Sequence, residues 1–219
     1  MASSPKALAA SGERRWSANA FVGSSPSSPL PSGRPHHPNG REIVSVLYCN
    51  HHRPRLHEIL GRTVILGAGE KPYPGAINVD VRPVPGIDIV QDLNERNWTR
   101  IPSDTYDTII AEHIIEHAFD RLWFLEECRR IAKPGGTLII EVPHYKHIYA
   151  HSMLDHRWTF THQSFDPTYV IRGKLTKKRV EYRLFTDKDI WLRWEKLGRF
   201  LARNTGLVSG LRFYLEILK

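Results

Sequence analysis

The chain has little cysteine, with Cys49 and Cys128 as the two cysteines among its 219 residues. Two widely spaced cysteines cannot build the disulfide framework of a small secreted domain or a cysteine-ligated zinc cluster. We therefore expect a reducing, cytoplasmic setting. The sequence also contains no run near the ~20 apolar residues that cross a bilayer, so no membrane association is expected.

Acidic residues are almost missing from the start of the chain. Residues 1–41 contain one, Glu13, and are rich in Ser, Pro, Ala and Gly. Such a segment buries too little apolar surface to offset the entropy lost on ordering it. The sequence therefore predicts a disordered tail over residues 1–41 and one domain over residues 42–219. An organellar transit peptide is an alternative, although the prolines disfavour its amphipathic helix.

The formal net charge is +8, and much of the excess lies between Arg172 and Arg203. A basic surface is compatible with a nucleic-acid partner and equally with a solvated face that binds nothing. We find no RNA-binding motif in this segment. Its aromatic residues Trp191, Trp194 and Phe200 fit the core-facing side of a predicted helix.

Short apolar runs bounded by turn residues follow one another from Thr63 onward. The runs TVILG, AINVDV, GIDIVQD, YDTIIAEH and TLIIEV are typical of buried parallel strands. Asp120 is a suitable N-cap for a helix that the KPGG stretch ends. Later, KRVEYRLF and LRFYLEILK are predicted as strands and TDKDIWLRWEKLGRFLARN as a helix. This alternation indicates an α/β fold with a largely parallel sheet.

The stretch ILGAGEKPYPGAINVD carries a G-x-G after the first strand and Asp80 at the end of the second. Glycines allow the backbone to turn sharply and approach a ligand, and a carboxylate there can accept both ribose hydroxyls. The third glycine of a dinucleotide site is missing, because Pro72 stands in its place. A nucleoside without phosphate fits better, and S-adenosylmethionine is the candidate cofactor. The alternative is a tight turn that binds no ligand.

Residues from about Thr63 to Val142 resemble a class I S-adenosylmethionine-dependent methyltransferase of the small type-11-like group. Four blocks match in order, and they are LGAGEKPYPGAINVD, IVQDLNE, YDTIIAEHIIEH and LEECRRIAKPGGTLIIEVPH. The resemblance implies a Rossmann-like single domain with a mostly parallel seven-stranded sheet whose last strand is antiparallel. One departure is the spacing, since only six residues, Glu70 to Gly75, separate the G-x-G from the next strand.

The resemblance also implies which residues contact the cofactor. Gly67, Ala68 and Gly69 would pass under it, and Asp80 would hold the ribose. Asp92 and Leu93 would flank the adenine. Glu112 and His113 would lie beside the methionine and the transferring methyl group.

The stretch AEHIIEH contains H-x-x-E-H, the signature of a zinc hydrolase with His113 and His117 as ligands and Glu116 as base. That chemistry requires the three residues on one regular helix. A predicted strand ends just before His113, and Asp120 begins a new helix. The residues between them are too few for a regular helix that carries all three. We therefore predict no metal and expect Glu116 and His117 to brace the loop through hydrogen bonds.

Five histidines lie in the loop after the fifth predicted strand. By the resemblance, this loop covers the acceptor, and a histidine there could act as general base because its pKa lies near working pH. His144 is the first choice and His156 the second, and a purely structural role for both is the alternative. The predicted activity is methyl transfer to an oxygen or nitrogen of a small-molecule or sugar-like acceptor, with RNA methylation as the alternative.

Overall fold

The computed structural model describes residues 62–70, 72–166, 173–186 and 190–219. All of these belong to one compact unit, Cys49–Lys219. The tail predicted over residues 1–41 lies outside the described ranges. No helix among the described residues is long and apolar enough to cross a membrane.

Eight strands and three α-helices form the described part of the chain. The strands are β1 Thr63–Leu66, β2 Ile77–Asp80, β3 Ile89–Val90, β4 Tyr106–Glu112, β5 Ala132–Pro143, β6 Leu175–Leu184, β7 Trp191–Leu192 and β8 Val208–Ile217. The helices are α1 Arg121–Ile131, α2 Tyr149–Ser152 and α3 Glu195–Asn204, with a 3-10 helix at Ile115–His117.

The strands form one sheet in the order β3-β2-β1-β4-β5-β8-β6-β7. Strands β1 to β5 pair in parallel, and β8 is antiparallel to both β5 and β6. The predicted α/β class, Rossmann-like topology and antiparallel last strand are confirmed. The predicted count of seven strands is corrected, because Trp191 and Leu192 add a short antiparallel edge strand beside β6.

The two faces of the sheet are packed differently. Successive β4 residues alternate between them, since Ile109 and Ala111 belong to the large core and Ile110 to a small cluster on the other face. Helix α1 packs Phe124 and Cys128 into the large core. The parallel strands are therefore packed against the large core on one face and against the small cluster on the other.

Helix α1 begins where the sequence predicts. Both Leu122 N and Trp123 N donate to Asp120 Oδ1 at 3.0 Å, which satisfies two backbone donors that a helix start leaves free. The helix ends at Ile131, and β5 begins directly at Ala132, earlier than the predicted Thr137. The KPGG residues form a bulge in β5. Ala132 pairs with Tyr106 and Thr137 with Thr108, so the four KPGG residues lie opposite Asp107 alone.

The helix predicted over TDKDIWLRWEKLGRFLARN is wrong in its first half. Because Trp191 and Leu192 pair with β6, the backbone there is extended, and α3 begins only at Glu195. Of the three aromatic side chains predicted to face the core, Trp191 is half-buried and lies under the Arg212 guanidinium, and the other two are exposed. Trp194 is 68% exposed and Phe200 is 59% exposed, so this segment presents aromatic rings to solvent.

We expect the substitution Asp120→Ala to lower the free energy of unfolding by about 1 kcal/mol, because it removes the cap of α1. Asp120→Asn is the matched control, since asparagine caps as well as aspartate but carries no charge. Chemical denaturation of both variants measures the effect. An equal loss in the two variants would assign it to the charge, which faces Arg96 at 3.8 Å, and not to the cap.

Candidate cofactor and acceptor site

The turn after β1 folds over the end of β2. Gly67 and Gly69 have φ angles of +72° and +64°, which favour glycine. Gly67 N and Ala68 N both donate to Val79 O at 2.9 Å. A side chain at Gly67 would bring a Cβ within 2.9 Å of Ile114 Cδ1. The turn lies where the sheet order reverses between β1 and β4, the position at which open α/β sheets bind ligands.

The carboxylate of Asp80 closes this turn and is 7% exposed. Gly69 N donates to its Oδ2 at 2.8 Å, and its Oδ1 accepts from Arg82 N at 3.0 Å and Arg82 Nε at 3.2 Å. A carboxylate offers about four acceptor positions, so these three bonds leave about one. The half-exposed Arg82 guanidinium also lies 3.5 Å from Glu70. A hydroxyl that approaches Asp80 can therefore replace the bond from Arg82 Nε.

These residues fit a nucleoside better than a phosphate. The described residues between Gly69 and β2 form turns, so this connection offers no helix N-terminus for an anion. A Cβ built on Gly69 would meet only Arg82 Nη2, at 3.8 Å, which leaves room for a ligand against the backbone. The acceptor oxygens of Asp80 complement ribose hydroxyls. The turn is thus suited to the nucleoside part of S-adenosylmethionine.

Asp92 and Leu93 follow β3 at the same edge of the sheet. Gln91 N donates to Asp80 O at 3.0 Å, which ties the two strand ends together. Asp92 Oδ1 accepts from Asn94 N at 2.8 Å. Leu93 packs into the large core. Their predicted contacts with adenine stay predictions.

His113 follows β4 with a φ angle of +50°, which is uncommon for a residue with a side chain. Its ring lies between two buried carboxylates, with Nδ1 3.1 Å from Glu116 Oε1 and Nε2 3.5 Å from Glu141 Oε1. Burial lowers the pKa of His113, but hydrogen bonds and attraction to these carboxylates outweigh it and raise the pKa to about 10. The imidazole is therefore a cation at neutral pH.

Four charged side chains are register partners across four strands, and we call them the charged row. They are Glu112 on β4, Glu141 on β5, Arg212 on β8 and Glu181 on β6. Arg212 Nη2 lies 2.7 Å from Glu141 Oε2, and Arg212 Nη1 lies 3.8 Å from Glu181 Oε2. Glu141, Arg212 and Glu181 are all buried. Pairing is what allows such charges inside a protein.

The two neighbouring carboxyls of the row differ in charge. Burial raises the pKa of Glu141, but the hydrogen bond with His113 and the charge of Arg212 lower it to about 2. Burial and repulsion from Glu141 together raise the pKa of Glu112 to about 8. At neutral pH, Glu141 is ionised and Glu112 holds a proton. Glu112 also accepts a hydrogen bond from the Tyr73 hydroxyl at 3.2 Å.

The zinc hydrolase predicted as an alternative from H-x-x-E-H does not match this geometry. Both ring nitrogens of His113 face carboxylates, and Glu116 and His117 lie on a single 3-10 turn, not on a regular helix. The predicted bracing role is observed instead. Glu116 O accepts from Arg157 N at 2.8 Å, and His117 Nδ1 lies 3.1 Å from Asp155 Oδ2.

The two predicted bases lie in different surroundings. His144 is 1% exposed, and burial together with the charge of Lys146 lowers its pKa to about 4. It is therefore neutral and shielded at pH 7. The ring of His156 packs edge-on against that of His117, with centroids 4.7 Å apart, and burial lowers its pKa. A catalytic role for either histidine stays a prediction.

Parts of the chain are similar to known methyltransferases. Residues 78–140 match the family described as "Methyltransferase domain". A protein of Mycolicibacterium smegmatis named a probable S-adenosylmethionine-dependent methyltransferase is 27% identical over 144 residues, which cover 54% of this chain and 55% of that protein. The chain thus spans about half the length of this curated relative.

Two solved structures share the fold. A chain from the Haloferax volcanii complex of the Trm112 methyltransferase activator with a methyltransferase is 18% identical, with a TM-score of 0.52, and the match covers 72% of this chain and 82% of that one. A SAM-dependent methyltransferase from Archaeoglobus fulgidus is 15% identical, with a TM-score of 0.50 and coverage of 71% and 85%. These two structures show that the chain shares their fold, and residues 78–140 are similar to the methyltransferase domain family.

Proposed function

We propose that the chain transfers a methyl group from S-adenosylmethionine to an oxygen or nitrogen of a small-molecule or sugar-like acceptor. The observation that supports this most is the hydrogen bond from Gly69 N to Asp80 Oδ2. It joins the glycine turn and the carboxylate into one surface at the switch point of the sheet. That surface offers backbone and acceptor oxygens, and its cation Arg82 is already paired with Asp80 and Glu70.

Each predicted contact has a role in this proposal. Asp80 accepts from the ribose, Asp92 from the exocyclic amine of adenine, and Gly67 to Gly69 pass beneath the nucleoside. Glu112 ends β4 and His113 follows it, and in this proposal both lie beside the methyl group. The cofactor supplies a methyl already activated on a sulfonium. The protein therefore needs mainly to align the acceptor and exclude water, which is worth roughly 7 to 11 kcal/mol.

The charges at the end of β4 favour an acceptor that is not a polyanion. Three carboxyl groups, those of Glu112, Glu141 and Glu181, share this part of the sheet with Arg212 and His113. The cations there are already paired with carboxylates. A hydroxyl or amine can hydrogen-bond to Glu112 without disturbing those pairs, whereas a phosphate would compete for them.

The substitution Asp80→Ala should weaken binding of S-adenosylmethionine and of its demethylated product by at least tenfold, because it removes the ribose acceptor and frees the turn at Gly69. Calorimetry measures both affinities. Glu126→Ala is the control, since it removes a half-buried carboxylate of α1 that pairs with Arg129 and Lys174 and not with the glycine turn. Unchanged binding by the Asp80→Ala variant would contradict the assigned pocket.

A pH dependence follows from the raised pKa of Glu112. Because a carboxylate attracts a cation and a carboxylic acid does not, affinity for S-adenosylmethionine should rise as the pH increases through about 8. The groups that set this pKa are Glu141, Arg212, His113 and Tyr73. Calorimetry between about pH 6.5 and 8.5 should show a steeper rise for the sulfonium cofactor than for its uncharged thioether product.

Glu112→Gln is the matched variant for this measurement. It keeps the shape and a hydrogen-bond acceptor for Tyr73 but cannot ionise, so the pH dependence should flatten. Equal slopes for the variant and the natural chain would show that Glu112 does not face the cofactor.

RNA methylation is the second candidate, because Trp194 and Phe200 are exposed within the basic segment. Exposed rings near cations can stack on unpaired bases. Against it, several cations of this segment are paired, as in Arg193 with Glu181 and Arg199 with Glu195.

Salt dependence separates the two acceptors. If the acceptor is RNA, its affinity should fall steeply with salt, with a logarithmic slope of roughly −0.7 per phosphate contact, and the double variant Trp194→Ala/Phe200→Ala should weaken it. For the proposed small acceptor, a methyl-transfer assay with labelled cofactor should give a KM nearly independent of salt. That assay is run against fractionated small molecules and against RNA.

A further inference from the structure

A group of metal-type ligands lies beside the end of β4. Glu116, His117 and His156 each offer one ligand atom, and these three atoms lie within 4.8 Å of one another. Glu116 and His117 belong to the 3-10 turn, and His156 belongs to the loop before β6. The group includes Glu116 and His117 of the H-x-x-E-H pattern but has His156 in place of His113.

Two atoms of this cluster are buried without a partner. Glu116 is 0% exposed, and its Oε1 is bound by His113, but its Oε2 accepts no hydrogen bond within the described ranges. Nδ1 of His156 is also buried and has no hydrogen-bond partner within those ranges. A buried polar atom without a hydrogen-bond partner is destabilising, and a charged one more so. A cation bound by Glu116 Oε2 and His156 Nδ1 would give both atoms a partner.

The third ligand is oriented by a carboxylate. His117 Nδ1 lies 3.1 Å from Asp155 Oδ2, which leaves Nε2 as the nitrogen available to a metal. Histidine ligands in metal sites commonly donate their other ring nitrogen to a carboxylate in this way, which fixes both the tautomer and the ring direction. Asp155 therefore has the position of such a supporting residue.

The two chain segments that supply the ligands are held together independently of any ion. Arg157 N and Trp158 N donate to Glu116 O at 2.8 and 3.3 Å. Trp158 Nε1 donates to Ala118 O at 2.7 Å. Because the backbone is fixed on both sides, side-chain rotation is the main adjustment that metal binding requires.

We propose that Glu116, His117 and His156 bind one divalent transition-metal ion of the Zn²⁺ class. Ligand atoms about 2.0 Å from a tetrahedral ion lie about 3.3 Å apart, so atoms already within 4.8 Å close around it by small rotations. Two imidazoles and one carboxylate are a zinc ligand set, and the fourth position stays open to water. The metal adds a side-chain link between His156 and the 3-10 turn to the hydrogen bonds that already join these two segments. Glu116 is a ligand in this site and not a base.

The test uses the full chain, treated with a chelator and then titrated. Calorimetry with Zn²⁺ should show one site per chain, and Co²⁺ should give the visible absorption bands of a tetrahedral ion. His156→Gln should weaken Zn²⁺ binding by at least tenfold, without touching the His113–Glu116 pair. Glu116→Gln should weaken it similarly. His151→Gln, which changes an exposed histidine of α2, is the matched control and should bind as the natural chain does.

Circular dichroism of each variant shows whether it is folded, and Zn²⁺ should raise the melting temperature of the natural chain but not that of His156→Gln. If the natural chain, once freed of metal and of chelator, does not bind Zn²⁺, the proposal is wrong. Equal binding by His156→Gln and His151→Gln would also overturn it. Calorimetry with S-adenosylmethionine on the metal-free chain reports on the methyltransferase proposal separately, because Asp80 and the glycine turn are not part of the metal cluster.

Discussion

The buried guanidinium of Arg212 is the interaction on which the carboxyl end of the sheet depends. It lies on β8 between Glu141 and Glu181, two carboxylates that are each 1% exposed. Without it, Glu141 would keep His113 as its cationic neighbour, and Glu181 would keep Arg193. The loss would be largest at Glu141, because Arg212 Nη2 lies 2.7 Å from its Oε2, and breaking a buried ion pair costs several kcal/mol. Because Arg212 keeps Glu141 ionised, Glu141 in turn stabilises the cation of His113 and keeps a proton on Glu112. One cation thus sets the charges of its neighbours at the place where the methyl group is expected.

The short connection between β1 and β2 imposes a second constraint. With turns in place of a helix, the amide of Gly69 is satisfied by the side chain of Asp80. That carboxylate therefore supports the turn and offers an acceptor to the ligand. A ribose that displaces Arg82 Nε exchanges one hydrogen bond for another, so the contact itself contributes little net free energy. Much of the importance of Asp80 for binding then comes from the shape it gives to the glycine turn.

The sequence predicted those parts of the fold that local patterns determine. The apolar runs of β1, β4 and β8 and the Asp120 cap needed no knowledge of distant partners. The first half of the helix predicted over 186–204 failed because Trp191 and Leu192 pair with β6, and pairing overrides local helix propensity. The charged row was missed for the same reason, since Arg212 lies 71 positions after Glu141. The signal that could have revealed it is the single charge within each of the apolar runs IIEV and LRFY, because a buried charge requires a partner.

A series of side-chain contacts links the proposed metal site to the charged row, and negative and positive groups alternate along it. Glu116 contacts His113, His113 contacts Glu141, and Glu141 contacts Arg212. A cation bound at Glu116 would extend this alternation by one position, so that each carboxylate has a positive neighbour on both sides. Glu112 stands apart, because within the row it is the carboxyl whose pKa lies near neutrality. In the proposed function, the cofactor is a cation before methyl transfer and its product is uncharged, so a carboxyl that titrates near neutral pH can interact differently with the two. Burial and the charge of Glu141 on β5 raise the pKa of Glu112, and the charge of Arg212 on β8 opposes them.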